Sequence, residues 1–133
     1  MSALAVMRRG RRRAEALMVD ACTVKPVAGN ATDPSTGVVT TTYGAAVYTG
    51  KCKFQRQRGA YPSNPEAGEH RWTVAPLELH LPVAGSGGVS TGHVVEVTAS
   101  VDPELVGKRF RIRAGDRKTF ATATRFSLEE VVD

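Results

Sequence analysis

The stretch Val47-Tyr48-Thr49-Gly50-Lys51-Cys52-Lys53-Phe54-Gln55-Arg56 decides the fold. Tyr48, Cys52 and Phe54 fall on one side, and Thr49, Lys51, Lys53 and Gln55 on the other. That two-residue period is the mark of a half-buried strand. A return strand is predicted from Arg71-Trp72-Thr73-Val74, past Pro76, to Leu77-Glu78-Leu79-His80-Leu81. Between the two lie residues 57–70, with Gly59, Gly68, Pro62, Pro65 and a single aromatic, Tyr61. Hairpin loops need about two to five residues, so an insertion of this length predicts a functional loop rather than a simple connection.

Outward from this hairpin the same reading repeats. Ala21-Cys22-Thr23-Val24-Lys25 is a short strand ended by Pro26, and Asp33-Pro34-Ser35-Thr36-Gly37 has the chemistry of a turn. Residues 38–43 form a threonine-rich strand, residues 84–88 a flexible turn, and His93-Val94-Val95-Glu96-Val97-Thr98 another strand. Asp102 as cap, Pro103 in first position and Gly107 as exit predict one helical turn. In Arg109-Phe110-Arg111-Ile112-Arg113 the apolar pair points inward and the arginines outward. Residues 114–117 then turn the chain, and Phe120, Thr122, Thr124, Phe126 and Leu128 line one face of a last strand.

About seven short strands with turn signals predict a mainly β domain, a small β-barrel or sandwich with an N-terminal α-helix and one long inserted loop. Its expected core is Phe54, Trp72, Leu79, Leu81, Val95, Val97, Phe110, Ile112, Phe120 and Phe126. The 133 residues divide into a basic helical arm, 1–20, and a β-domain, 21–133, carrying the loop at 57–70.

A hydrophobic content of 41% with 23% charged residues favours a folded chain over a disordered one. No apolar run approaches the ~20 residues of a membrane span. Leu4-Ala5-Val6-Met7 is too short for a signal-peptide core, and neither membrane nor export is expected. The net charge is +5, and Arg8, Arg9, Arg11, Arg12 and Arg13 supply that excess. Residues 3–19 read as a helix whose narrow apolar seam is Ala3, Met7, Gly10, Ala14, Leu17 and Ala21. The arm is expected to dock on a partner through Met7, Leu17 and the seam, with its arginines meeting acidic groups or nucleic-acid phosphate. Cys22 and Cys52 are expected as buried, unbonded thiols.

Gly88-Val89-Ser90-Thr91-Gly92, followed by His93, matches a serine-hydrolase pentapeptide. That chemistry needs a strand before the serine and a helix after it, whereas a glycine-rich turn precedes and a valine-rich strand follows. Gly85 to Gly92 lacks the lysine and hydroxyl residue of a P-loop, and His70, His80 and His93 are not at metal-ligand spacing. Glu129-Glu130 reads as a solvated end. With no acid, base and nucleophile assembled, the expectation is a protein that is not an enzyme, with no cofactor and no metal. Arg109, Arg111 and Arg113 could track a phosphate backbone, but outward arginines pairing with acidic side chains are the simpler reading.

Taken in order, these pieces resemble the head–tail connector proteins of long-tailed bacteriophages, the head-completion or stopper type in particular. The resemblance rests on the arginine-rich helix, the turn at 33–37, Val47-Tyr48-Thr49-Gly50-Lys51-Cys52-Lys53 and the long loop. It continues through Leu79-His80-Leu81-Pro82-Val83, residues 93–98, residues 102–108 and Ala123-Thr124-Arg125-Phe126. It implies a structural virion protein of the head–tail neck, a β-barrel assembled as a hexameric ring and present in the host cytoplasm during assembly. The portal-adaptor protein would lie on its head side, the tail terminator or tail tube on its tail side, and genomic DNA would pass through without sequence specificity. The loop, with Arg58, Gly59, Tyr61, Pro62, Asn64, Glu66, Gly68 and Glu69, would point into the channel and help close it. Open barrel edges and the arm would supply the ring contacts. The alternatives are a tail terminator ring, or a monomeric nucleic-acid-binding barrel using Arg109, Arg111 and Arg113.

Overall fold

The structure, a computed structural model, describes residues 2–56 and 77–131. Its elements are α1 (Ala3–Ala16), β1 (Asp20–Lys25), β2 (Val27–Thr32), β3 (Val39–Tyr43) and β4 (Tyr48–Arg56). They continue with β5 (Leu77–Leu81), β6 (Val94–Ala99), β7 (Arg109–Asp116) and β8 (Thr124–Glu130). Six strands close a barrel in the order β1-β4-β5-β8-β7-β6, and β2 pairs with β3 as a separate two-stranded ribbon. All pairings are antiparallel, and β6 meets β1 to complete the circle. Closure leaves the barrel no free edge, so the open barrel edges expected for ring contacts are absent among the described residues, and free edges remain only on the β2–β3 ribbon.

The alternation read from the sequence fills the barrel. Cys22 and Val24, Cys52, Leu79 and Leu81, Val95 and Val97, Phe110 and Ile112, and Phe126 and Leu128 make one buried cluster. Phe54 packs on it half-buried, its ring centroid 5.9 Å from that of Phe110. Each large aliphatic side chain taken fully out of water contributes roughly 1.5–3 kcal/mol, so this interior is the main source of stability.

Several expectations are corrected. β2 has no counterpart in the strand reading, because its burial shows no two-residue rhythm: only Gly29 is even half-buried. Residues 114–116 of the turn expected at 114–117 are instead strand, since a bulge between Ile112 and Ala114 shifts the register and lets β7 run on beside β8 to Asp116. Residues 102–107 form turns rather than a helical turn, although Asp102 Oδ1 does accept from the Glu104 amide at 3.0 Å. Phe120 is not core. It lies before β8 begins, at φ 58° and 51% exposed, while Ala121 and Ala123 are buried in its place. Trp72 and the first half of the predicted return strand lie outside the described residues.

Candidate functional site: a basic arm and a basic strand

The arm begins with a sequence-local cap. Ser2 Oγ accepts from the Ala5 amide at 3.2 Å, and Leu17 closes α1 at the other end. Gly10 faces the barrel so closely that a Cβ there would lie 2.8 Å from Thr122 Cγ2. Beside it Arg11 Nε donates to the Ala121 carbonyl at 2.9 Å. Glu15 forms a 3.0 Å ion pair with Lys51 of β4, and Met18 is buried just beyond the helix. The predicted seam is therefore half right. Met7, Gly10 and Ala14 are half-buried, whereas Ala3 and Leu17 are exposed. Gly10, with Arg11 beside it, packs on the chain's own barrel, so that part of the seam is not available to a neighbouring protein.

Arg8, Arg9, Arg12 and Arg13 are exposed on the remaining faces. None of the four forms an ion pair among the described residues, because the only acid of α1, Glu15, is taken by Lys51. Arg8 with Arg12 and Arg9 with Arg13 are like-charge pairs one turn apart, each destabilising the helix by about 0.2–0.5 kcal/mol. No acidic residue stands in the first turn to complement the helix dipole.

The strand arginines of β7 have a different fate. Phe110 and Ile112 are buried while Arg111 and Arg113 are exposed, as the alternation predicts. In the β7–β8 register Arg111 stands opposite Glu129 and Phe110 opposite Glu130. Arg113 pairs with Glu129 at 3.8 Å and Lys108 with Glu130 at 3.6 Å. Arg109 donates to the Tyr43 hydroxyl at 3.3 Å and so ties β3 to the barrel. Glu129 and Glu130 are thus exposed, as expected of a solvated end, and each also has a basic partner at the end of β8. This face therefore carries acidic partners for part of its basic charge.

The glycine-rich turn does bring Ser90 and His93 together. The Ser90 amide donates to His93 Nδ1 at 3.2 Å, and Ser90 Oγ lies 3.2 Å from Nε2. With Nδ1 accepting, a neutral ring carries its proton on Nε2 and donates to the hydroxyl, the opposite of what a general base does. Arg117 Nη2 donates to the carbonyls of Gly87 and Val89 at 3.2 Å each, pinning this turn to the β7–β8 connection. Ser86, fully buried, donates to the Pro82 carbonyl at 2.6 Å.

Cys22 and Cys52 are free and buried, and the side-chain hydrogen bond with Cys22, together with burial, holds the Cys52 thiol well above its ordinary range. Burial also raises the Tyr48 hydroxyl to about 12. His80, buried on β5, contacts Glu78 through Nε2 at 2.6 Å, yet burial wins over that partner and lowers its pKa. Among the described residues no three His, Cys, Asp or Glu side chains lie together as a metal would require.

Of the predicted site residues, the structure joins the arm to the barrel and leaves four of its arginines outward. The channel-loop residues Arg58, Gly59, Tyr61, Pro62, Asn64, Glu66, Gly68 and Glu69 lie outside the described residues. Sequence reasoning missed Thr122 and Ala121 as the seat of the arm; the only available signal was Gly10, a helix-breaking residue placed where a close approach needs it.

Fold and surface together define a small closed antiparallel barrel with a docked basic helix and an external ribbon. A family profile described as a family of unknown function, DUF6093, matches residues 10–129, and the chain belongs to that family. The solution structure of protein SF1141 from Shigella flexneri 2a is similar in fold, with a TM-score of 0.54 at 12% identity. The match covers 85% of this chain and 92% of that one. No curated protein sequence matches the chain.

Proposed function

We propose that this protein is a structural component of a phage head–tail neck. Copies would form a ring that joins the portal-adaptor complex to the tail and helps close the DNA channel. Beside the ordered resemblance of the sequence, the observation that carries this reading is the β2–β3 ribbon. It stands outside a barrel that has no free edge, and Val27, Val38 and Val39 are exposed on it. A lone two-stranded ribbon is marginally stable in water, so a neighbouring subunit is its natural support. Heterologous contacts of this kind close into rings when the rotation permits. The segment between β4 and β5 would supply the channel loop.

The test is the mass of the purified protein by light scattering and native mass spectrometry. A closed oligomer is expected, and replacing residues 29–41 by a short turn should reduce it to folded monomer. A parent chain that stays monomeric at concentrations well above those of assembly would overturn the proposal. The tail terminator remains a variant of the same reading, separated from it by which neighbour the ring binds in the particle.

A further inference from the structure

We propose that the solvent face of α1 is a binding surface for the phosphate backbone of double-stranded DNA. The proposal takes from the neck reading only the source of the duplex, which is the genome in transit. Its physical basis lies in the arm itself.

Successive residues of an α-helix turn by about 100°, so Arg8 and Arg12 form one row and Arg9 and Arg13 a second. Ala5, half-buried, and Ala16, exposed, lie on the midline between the rows, one turn before Arg8 and one turn after Arg13. Small residues at the pole permit close approach, and arginines on both flanks can each reach a phosphate oxygen, a group their forked donors fit. Within a row the spacing is about 6 Å, close to the separation of adjacent phosphates along a strand. The helix, about 10–12 Å across, also fits the roughly 12 Å major groove.

Two observations say that this charge serves something outside the chain. The rows contain like-charge pairs that weaken the helix, and nothing among the described residues neutralises them. Meanwhile Arg11, the fifth arginine, already fixes the helix to the Ala121 carbonyl, so the other four are held at a defined place on a rigid barrel. An acidic protein is the rival partner. Protein interfaces draw most of their energy from large central side chains. Here the exposed Leu4 lies at the margin beyond Arg8, Val6 and Leu17 lie at the margin beyond Arg13, and no aromatic or large aliphatic side chain stands between the two rows.

The test uses the full chain and a labelled random-sequence duplex, with binding followed by fluorescence anisotropy. Four phosphate contacts predict a log–log salt slope near −3.6, so affinity should fall about 150-fold between about 50 and about 200 mM monovalent salt. Converting Arg8, Arg9, Arg12 and Arg13 to Gln should abolish binding, with an unchanged circular dichroism spectrum. Converting Arg111 and Arg113 to Gln should leave binding nearly intact. Should the fourfold variant fail to fold, dicarbonyl modification of arginines in the parent, mapped by mass spectrometry, gives a second readout. Bound duplex should then protect Arg8, Arg9, Arg12 and Arg13.

The proposal falls if duplex does not bind at the lower salt, if the folded fourfold variant binds like the parent, or if those four arginines are modified equally with and without duplex. Binding of a polyglutamate peptide by a chain that ignores duplex would overturn it in favour of an acidic protein. Mass measured on the same samples keeps the two readings apart. A monomer that binds duplex would sink the ring and not this surface, whereas a ring blind to duplex would do the reverse.

Discussion

β7 and α1 each carry a run of arginines, and the two runs behave in opposite ways. On β7 the strand pairing brings Glu129 and Glu130 across from Arg111 and Phe110, and Glu129 pairs with Arg113 while Glu130 pairs with Lys108 just before the strand. On α1 the neighbours at one-turn spacing are other arginines, and the only acid present is drawn away to Lys51. A helix sets its surface neighbours by sequence distance, whereas a strand sets them by a partner far along the chain. Charge patterning along the chain therefore describes the arm by itself, whereas for the strand the partners come only with the pairing. The basic excess of the chain is, in effect, a property of one helix.

The largest expected effect sharpens the contrast between the two faces of β7. Ile112 is fully buried, and Ile112→Ala should destabilise the fold by about 2–5 kcal/mol in urea or thermal unfolding. A loss under about 1 kcal/mol would mean that the barrel interior is far looser than its burial implies. Next comes the inner face of α1. Gly10→Val places a Cβ against Thr122 Cγ2 and should lower stability by about 1–3 kcal/mol through overpacking. Hydrogen exchange should localise the change to residues 3–18 and 117–123. Unchanged stability would show that the arm is not docked through Gly10.

Much of this was legible in the sequence, for a definite reason. Strands with one wet and one dry face announce themselves, and Cys52, Leu79, Val95, Phe110 and Phe126 all took the predicted side. β2 and β3 were harder, because a ribbon exposed on both faces need not alternate at all, and only the threonine content marked β3. Phe120 misled because the two-residue period was extended back across a turn: the Ala121 amide donates to the Lys118 carbonyl, and the left-handed φ of Phe120 swings its ring outward. The arm's seam was visible, but periodicity tells which face is apolar and not what covers it. That required the contact of Gly10 with Thr122. Pairing of the β7 arginines with acidic side chains was legible, but which acids were involved lay beyond reach because the bulge between Ile112 and Ala114 sets the register with β8.

A third environment, β5, lies between the two arginine surfaces in kind. His80 has one carboxylate partner, Glu78, and two nearby cations, Lys53 and Arg125. Burial is the largest influence and lowers its pKa from the ordinary 6.5; Glu78 raises it and the cations lower it. The unfolded chain therefore binds the proton more readily than the folded one. Stability from this site is present in full above the ordinary value and is lost as pH falls below about 6.5 toward the depressed folded value. Comparing the parent with His80→Gln between about pH 5 and 8 should show a steeper acid loss in the parent. Parallel curves would mean that His80 titrates alike in both states.

The smallest effects carry the comparison furthest, because they should differ in sign. Arg113→Ala removes one member of an exposed ion pair at 3.8 Å, a contact whose worth at a surface is about 0–1 kcal/mol. It should therefore destabilise slightly, and added salt should shrink the difference. Arg12→Ala removes one member of a like-charge pair with Arg8 and installs the best helix former. It should leave the protein as stable or raise its stability by about 0.2–0.5 kcal/mol, again less so in high salt. Paired chemical denaturation at low and high salt would read both changes on one scale. A loss of stability in Arg12→Ala comparable to that of Arg113→Ala would mean that Arg12 has a counter-charge after all. The arm would then be another face with acidic partners, like β7, rather than a surface kept cationic at the expense of its own helix.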